Sequence, residues 1–317
     1  MRILVSGAGV AGPVLAYWLT RHGFSVTVVE RAPTPRKTGG HAVDLFRPAM
    51  NISEKMGVLP RVEERATGTN RMTVHQEGAR RPVRVDLSKI FSATSDRHVE
   101  IMRDDLSEIY YDAARDDVEY LFGDSITAIS PDGGVRFENA APRRFDLVVG
   151  ADGLHSTVRR LVFGDESRFS AFIGAHLAVL TLPNVSALDG ELLIHVGVGR
   201  TAGMYGARHL ADARVLFLFR SERELDHHRD VPRQKELLRG AFDDLIPTSR
   251  LAVRGLAQGA RLISTLPAGP SRALLRLTTK SARLHNSMTV DDYSPSPTAS
   301  RGRVGLAGDP GGGLGAE

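Results

Sequence analysis

Arg2-Ile-Leu-Val-Ser-Gly-Ala-Gly-Val-Ala-Gly12 opens the chain and decides its fold. Arg2 to Ser6 reads as a short buried strand, and a helix follows with Val14, Leu15, Trp18, Leu19 and His22 at three- and four-residue spacing on one face. Gly23 stands where a left-handed cap ends such a helix, and Ser25-Val-Thr-Val-Val29 is a second, β-branched strand. Strand, helix and strand within roughly 30 residues make one βαβ unit. The turn between them, Gly7-Ala-Gly-Val-Ala-Gly12, matches G-x-G-x-x-G. Gly7 permits the tight turn, Gly9 lets the backbone approach a pyrophosphate, and Gly12 lets helix and strand pack closely. Val10 and Ala11 enter a helix whose free N–H groups and partial positive charge favour phosphates. Glu30 ends the second strand roughly 20 residues on, where an acid binds a ribose hydroxyl, with Arg31 beside it. Its charge also argues against a 2′-phosphate. This unit alone leaves NAD and FAD both open.

Composition removes other classes. Hydrophobic residues at 42% and charged residues at 25% of 317 are those of a soluble globular chain long enough for two domains. The formal charge is +4, without the Lys/Arg run of a nucleic-acid arm, so no nucleic-acid partner is expected. The absence of Cys excludes disulfides, thiolate zinc sites and a cysteine nucleophile. No apolar run approaches the roughly 20 residues of a membrane span. Met1 leads straight into the first strand with no cleavage-site pattern, so a cytoplasmic protein is expected. No G-x-S-x-G, P-loop or H-E-x-x-H occurs. Adjacent His227 and His228 point in different directions on any regular element, so no metal site is expected there. Gly197-Val-Gly-Arg-Thr-Ala-Gly203 has the wrong spacing for a second dinucleotide turn and reads as a hairpin.

Further along, helices are expected over Pro48–Met56, Asp104–Arg115 and Pro232–Leu245, the second with acids in its first turn, where the dipole favours them. Strands with a turn are expected in 70–90, short strands near 118–122, 125–130 and 133–138, and buried strands at Phe145–Val149 and Arg303–Ala307. Between 170 and 222 the pattern is extended (Leu177–Leu182, Leu192–Val196, Val215–Phe219), as in an inserted antiparallel sheet. Residues 250–300 have weak periodicity, and Ser294-Pro-Ser-Pro-Thr298 looks like a linker.

Two later motifs extend the reading. Asp146-Leu-Val-Val-Gly-Ala-Asp-Gly-Leu-His-Ser-Thr-Val-Arg159 resembles the second signature of the class A flavoprotein monooxygenases, the para-hydroxybenzoate hydroxylase-like family. Gly302-Arg-Val-Gly-Leu-Ala-Gly-Asp309 resembles the third. Gly40-His-Ala-Val-Asp44 and Glu100-Ile-Met-Arg-Asp-Asp-Leu106 fit as well, so the resemblance covers roughly 1–245 and 301–309 and is nearest the tetracycline and polyketide hydroxylases. It implies an α/β fold: a Rossmann-type FAD-binding domain with a parallel sheet (1–70, 101–168 and 301–317), plus a mostly antiparallel substrate domain (71–100 and 169–250), with 251–300 irregular. It implies FAD as cofactor, with Asp152 and Gly153 near the pyrophosphate and the passing nicotinamide, and Asp309 on the ribityl chain. It implies a cycle in which NADH or NADPH reduces FAD and an oxygen atom of dioxygen is delivered to an aromatic or polyketide-like small molecule.

The residues themselves leave alternatives. Asp152 can be only a helix N-cap. Arg103, a cation at the wrong end of a helix dipole, is offset either by a bound diphosphate or flavin edge or by solvent. No catalytic side chain can be named, which suits chemistry carried by a flavin. In the family the third-motif aspartate is followed by an Ala-rich turn and a helix; here Pro310-Gly-Gly-Gly-Leu-Gly-Ala-Glu317 follows, too rich in Gly and Pro to nucleate one. That departure is the one expected of a truncated reading frame. A non-catalytic flavoprotein remnant and an NAD-dependent dehydrogenase are the competing functions.

Overall fold

The computed structural model describes residues 1–35, 40–184, 188–207, 209–222, 224 and 230–242. The chain begins β1 (Arg2–Ser6), α1 (Ala11–Arg21), β2 (Ser25–Glu30), β3 (Ala42–Phe46), α2 (Arg47–Lys55) and α3 (Leu59–Glu64). Next come β4 (Arg71–Gln76), β5 (Val83–Asp86), α4 (Leu87–Thr94), β6 (His98–Met102), α5 (Arg103–Ala114) and β7 (Glu119–Phe122). A short meander, β8 (Ile126–Ile129), β9 (Gly134–Phe137) and β10 (Arg143–Arg144), leads to β11 (Leu147–Gly150) and α6 (Thr157–Phe163). Then follow β12 (Ala175–Pro183), β13 (Glu191–Gly197), β14 (Arg200–Gly206), β15 (Asp212–Arg220) and α7 (Val231–Gly240).

Two sheets organise these elements, and the fold is mixed α/β as expected. The first is parallel throughout, in the order β11-β1-β2-β7. Ile3, Val5, Val26 and Val28 face α1 and α5, where Ala16 and Ala114 meet them. Leu4 and Val29 face the meander and α6, against Ile126, Val135, Phe137 and Val158. A sheet buried on both faces accounts for the near-continuous apolar runs of β1 and β2. The second sheet has the order β12-β15-β14-β13-β4-β5 and is antiparallel except where β13 pairs with β4. Its inner face packs on α7 through Met204, Val215, Phe217, Leu238 and Phe242. The Gly197–Gly203 stretch is the β13–β14 hairpin.

The structure corrects several expectations. On α1 the fully buried residues are Gly12, Pro13 and Ala16, not the large ones. The helix lies so close to the strand that only small residues fit beneath it. Val14 and Trp18 pack sideways against the cluster around Leu106 and Ile109, and His22 is exposed. Gly23 does cap the helix, at φ 80°, its N–H donating to Thr20 O at 3.0 Å. The β3–β6 ribbon and helices α3 and α4 had no distinct local pattern. The final helix is described over Val231–Gly240, and residues 243–245 of its expected span lie outside the described residues, as do 250–300, His227–His228 and Arg303–Ala307. No helix among the described residues is long and apolar enough to cross a membrane.

The β3–β6 ribbon joins the two sheets and carries a half-buried acid. Glu100 lies opposite Asp44 across the ribbon, accepts from the Thr67 hydroxyl, and neighbours His98, which is bonded to Asp44 and stacked on Phe91. Burial pushes its carboxyl up from the ordinary range; the Thr67 and Thr69 hydroxyls pull the other way, and the Asp44 charge adds to the rise. Because the folded value is raised, stability from this group is complete below the unfolded value of roughly 4.3 and is lost as pH climbs through the folded one. Glu100→Gln, which still accepts from Thr67, is expected to flatten the fall in melting temperature between pH 4 and pH 7 and to exceed wild type at pH 7. Melts across that range check it; an unchanged slope contradicts it.

Candidate cofactor site

The site is built where β1, β2 and β11 end and α1 and α5 begin. At Gly7 φ is 106°, and its N–H donates to Val29 O at 2.8 Å. A side chain at Gly7 would stand 2.6 Å from Ala151 O, and one at Gly12 would stand 1.9 Å from Gly7 O. These two glycines therefore exist for the packing of the turn itself. Gly9 differs: a Cβ there would meet only Arg103 Nη2, at an ordinary 3.7 Å. Its open side faces a cavity of about 570 Å³, which Gly9, Val10 and Ala11 line together with Glu30, Arg31 and Arg103. No side chain caps α1, and Pro13 in its first turn has no N–H, so the remaining first-turn amides are left to a ligand or solvent.

Glu30 is fixed by backbone. One carboxylate oxygen accepts from Ala8 N–H at 2.8 Å and the other from Ala32 N–H at 2.9 Å. Each oxygen keeps a lone pair for a further donor. At the far wall Asp124, buried, accepts from the N–H groups of Ser125, Asn139 and Ala140 at 2.8 to 2.9 Å. Burial opposes its charge, but these backbone donors outweigh it and hold the carboxyl below the usual range.

Arg103 is the first residue of α5, held there by its N–H on His41 O at 3.0 Å and followed by Asp104 and Asp105, the acids expected in that first turn. Among the described residues its guanidinium has no ion pair, and its Nη2 stands beside the glycine turn, 3.7 Å from where a Cβ on Gly9 would be. Asp152 is chiefly committed to structure. It accepts from Ser156 Oγ, from Val158 N–H at 3.1 Å and from Ser6 Oγ at 3.4 Å, so it braces the start of α6 and ties it to β1, while the N-cap itself is Ser156, which accepts from Arg159 N–H at 3.0 Å. Gly153, at φ 80° with nothing within 4 Å of a Cβ placed on it, turns the chain along the cavity wall. Thus Gly7, Gly9, Val10, Ala11, Glu30, Arg31, Arg103, Asp152 and Gly153 border one cavity, with Gly12 packed beneath it. Asp309 and the Gly302–Asp309 motif lie outside the described residues.

Sequence reasoning missed how Gly40 is held. Its N–H donates to Asp104 at 2.7 Å, its carbonyl accepts from Arg214 Nε at 2.9 Å, and a side chain there would run into Asp104. Next to it Ala42 N–H donates to Tyr205 Oη at 2.6 Å. Burial pushes the Tyr205 phenol up to about 12, so it stays neutral. The cavity wall is thereby fastened to β14 and β15. An apolar hollow of about 810 Å³ beside β11, lined by Leu147, Val162, Phe163 and Phe169, offers no comparable convergence of amides and charges. No group of three or more His, Asp or Glu that could hold a metal occurs among the described residues.

The two glycines separate folding from binding. Gly12→Ala is expected to destabilise the protein by about 3 kcal/mol or more, because backbone must move. Gly9→Ala should stay within roughly 0.5 kcal/mol of wild type in denaturant unfolding. Its affinity for FAD should nonetheless fall at least about tenfold, since the added methyl stands where a diphosphate approaches. Equal effects of the two substitutions on both measurements would contradict this division.

The sequence pattern of the FAD binding domain family matches residues 1–241. The chain is 42% identical over 247 residues to the uncharacterized protein Rv1260 of Mycobacterium tuberculosis (strain ATCC 25618 / H37Rv), covering 76% of this chain and 66% of that one. It is 34% identical over 248 residues to a flavin-dependent monooxygenase of Legionella longbeachae serogroup 1 (strain NSW150), covering 77% and 63%. Among solved structures it is similar to tetracycline destructase Tet(51), with a TM-score of 0.65 and 29% identity over 81% of this chain and 65% of that chain. The matched part thus spans 63 to 66% of these relatives' own lengths. The glycine turn, its acid and the parallel sheet lie inside the matched span, and the chain belongs to the FAD-binding-domain family of class A flavin-dependent monooxygenases.

Proposed function

We propose that this chain binds FAD and acts as a monooxygenase that hydroxylates an aromatic or polyketide-like small molecule, using NADH or NADPH and dioxygen in the cytoplasm. One observation supports this reading above others: the uncapped start of α1, the Glu30 carboxylate and Arg103, which has no ion pair among the described residues, converge on a single cavity. A helix start and a cation suit a diphosphate, and an anchored acid suits a ribose.

The residues then take these roles. Amides at Gly9, Val10 and Ala11 bind the diphosphate, and Arg103, whose guanidinium stands beside Gly9, neutralises it. Glu30 accepts a ribose hydroxyl while keeping its two backbone donors, with Arg31 at the rim. Asp152 acts through α6 and holds the turn in which Gly153 lets backbone come close. Asp309 takes the ribityl chain. Residues 1–70, 101–168 and 301–317 serve the cofactor, and 71–100 with 169–250 serve the substrate. When bound, FAD would supply the redox chemistry, in which two electrons from NADH or NADPH and one dioxygen would give the hydroxylated substrate and one water. The protein's part is to orient the reactants and, with the apolar face of the second sheet, to exclude water.

The purified chain, mixed with FAD and freed of excess, is expected to keep the flavin absorbance bands and to oxidise NADH or NADPH with consumption of dioxygen. Arg103→Ala should weaken FAD binding by roughly tenfold or more, the scale of a lost charge-assisted hydrogen bond, and should lessen its salt dependence. A chain that retains no flavin but binds NADH would be a dehydrogenase. One that binds neither would be a non-catalytic remnant.

A further inference from the structure

Among the described strands of the six-stranded sheet, only β13 and β4 pair in parallel, joining residues 191–196 to residues 71–76. β4 and β5 reach the other four strands through that junction alone. In its register His75 stands directly beside His195. Leu193, two residues before His195, packs with Ala202 and Met204 on the α7 side of the sheet. His195 shares that side, because alternate residues of a strand share a face, and so does its register neighbour His75.

His195 is half-buried, and its Nε2 is buried without a hydrogen-bond partner among the described residues. A protonated ring would carry an N–H there with no acceptor, which is costly. On the same face of β14, Arg200 donates to Ala241 O at 3.1 Å and lies 3.9 Å from Glu77, just past the end of β4. That acid is therefore shared between the arginine and any charge on the histidines. Further from the pair, Thr73 donates to Glu191 at 2.6 Å, with Arg84 of β5 beside Thr73. Arg71 and Asp86 lie in the row of Glu191. From above, α7 turns Leu238 and Phe242 to the sheet and leaves Arg233, Lys235, Glu236 and Arg239 exposed. Burial pushes the His195 imidazole below its ordinary range; Glu77 pulls the other way, while His75 and Arg200 add to the fall.

We propose that His75 and His195 form an acid-sensitive latch: neutral, they let β4 pair with β13, and protonated, they force the two strands apart. Two cations side by side, with Arg200 near them and one shared acid, repel less when the junction opens. Because the folded value of His195 is lowered, its stability is complete above the unfolded value of roughly 6.5 and is lost as pH falls through the folded one. Glu100 acts in the opposite sense, and on the ribbon. The other face of the same two strands carries Met72, Val74, Leu192 and Ile194. Opening the latch would therefore break up part of the apolar face that the proposed function gives to the substrate. The latch itself goes beyond the monooxygenase reading and stands without it.

Amide hydrogen exchange of the full chain at pH 7.5 and pH 5.0, corrected for the intrinsic rate at each pH, tests it. In wild type, acid should lower the protection of amides bonded across the β4–β13 junction about tenfold relative to those between β14 and β15, the equivalent of one pKa unit. His195→Gln should hold that relative loss below about threefold, half a unit, and His75→Gln should also lessen it. Both variants should keep the wild-type circular dichroism and junction protection at pH 7.5. A loss spread evenly over the sheet in wild type overturns the proposal, as does an undiminished loss at the junction in His195→Gln. Should His195→Gln not fold, His75→Gln decides by the same measure, and an undiminished loss there overturns the proposal. FAD is absent from every sample, so a failure of flavin binding has no bearing on the result.

Discussion

The approach of Gly12 to the Gly7 carbonyl is the contact on which the rest of the structure depends. A Cβ at position 12 would stand 1.9 Å from that oxygen, so the first turn of α1 sits directly on the end of β1. From that position the amides at Gly9 to Ala11 border the cavity, and the partial positive charge of the helix start falls where a diphosphate would lie. The same turn is closed on its other sides by Val29 O, which receives the Gly7 N–H, and by Ala151, which leaves no room for a side chain at Gly7. Three strand ends are thus drawn to one point, and Glu30 and Asp152 hold the neighbouring turns through backbone N–H groups.

The second organising point is the Gly40 peptide. Asp104 takes its N–H and Arg214 its carbonyl, so one peptide links the first turn of α5 to the six-stranded sheet. Tyr205 repeats the link one strand over through Ala42. A ligand felt by β14 or β15 therefore has a short, polar route to the cofactor cavity wall. The apolar contact of Met102 with Tyr205 and Leu216 makes that route stiff.

Much of the first sheet could be read from the chain alone, because a β-branched strand, a glycine turn and a strand ending in an acid are local patterns with local causes. The burial of α1 was misread for a reason the motif itself contains. If Gly12 must touch Gly7, residues beneath the helix must be small, so the large apolar side chains are pushed to its flanks. The pairing of β13 with β4 joins segments more than a hundred residues apart, and no local periodicity encodes it. Asp152 was legible as an acid at the right place, but only coordinates show its carboxylate turned inward to α6. Arg214 was invisible: in Asp212-Ala-Arg-Val-Leu-Phe217 an arginine on alternate positions reads as a solvated strand face. Its burial comes from the ribbon laid across that face, which is a tertiary fact.

The central claim is that the start of α1 grips a dinucleotide through its backbone. Amide hydrogen exchange of residues 8 to 12, with and without FAD, tests it most directly. Slowed exchange at Gly9, Val10 and Ala11 on adding FAD, with the α7 region unchanged, is the result the account predicts. Exchange at those amides that is indifferent to saturating FAD would contradict it.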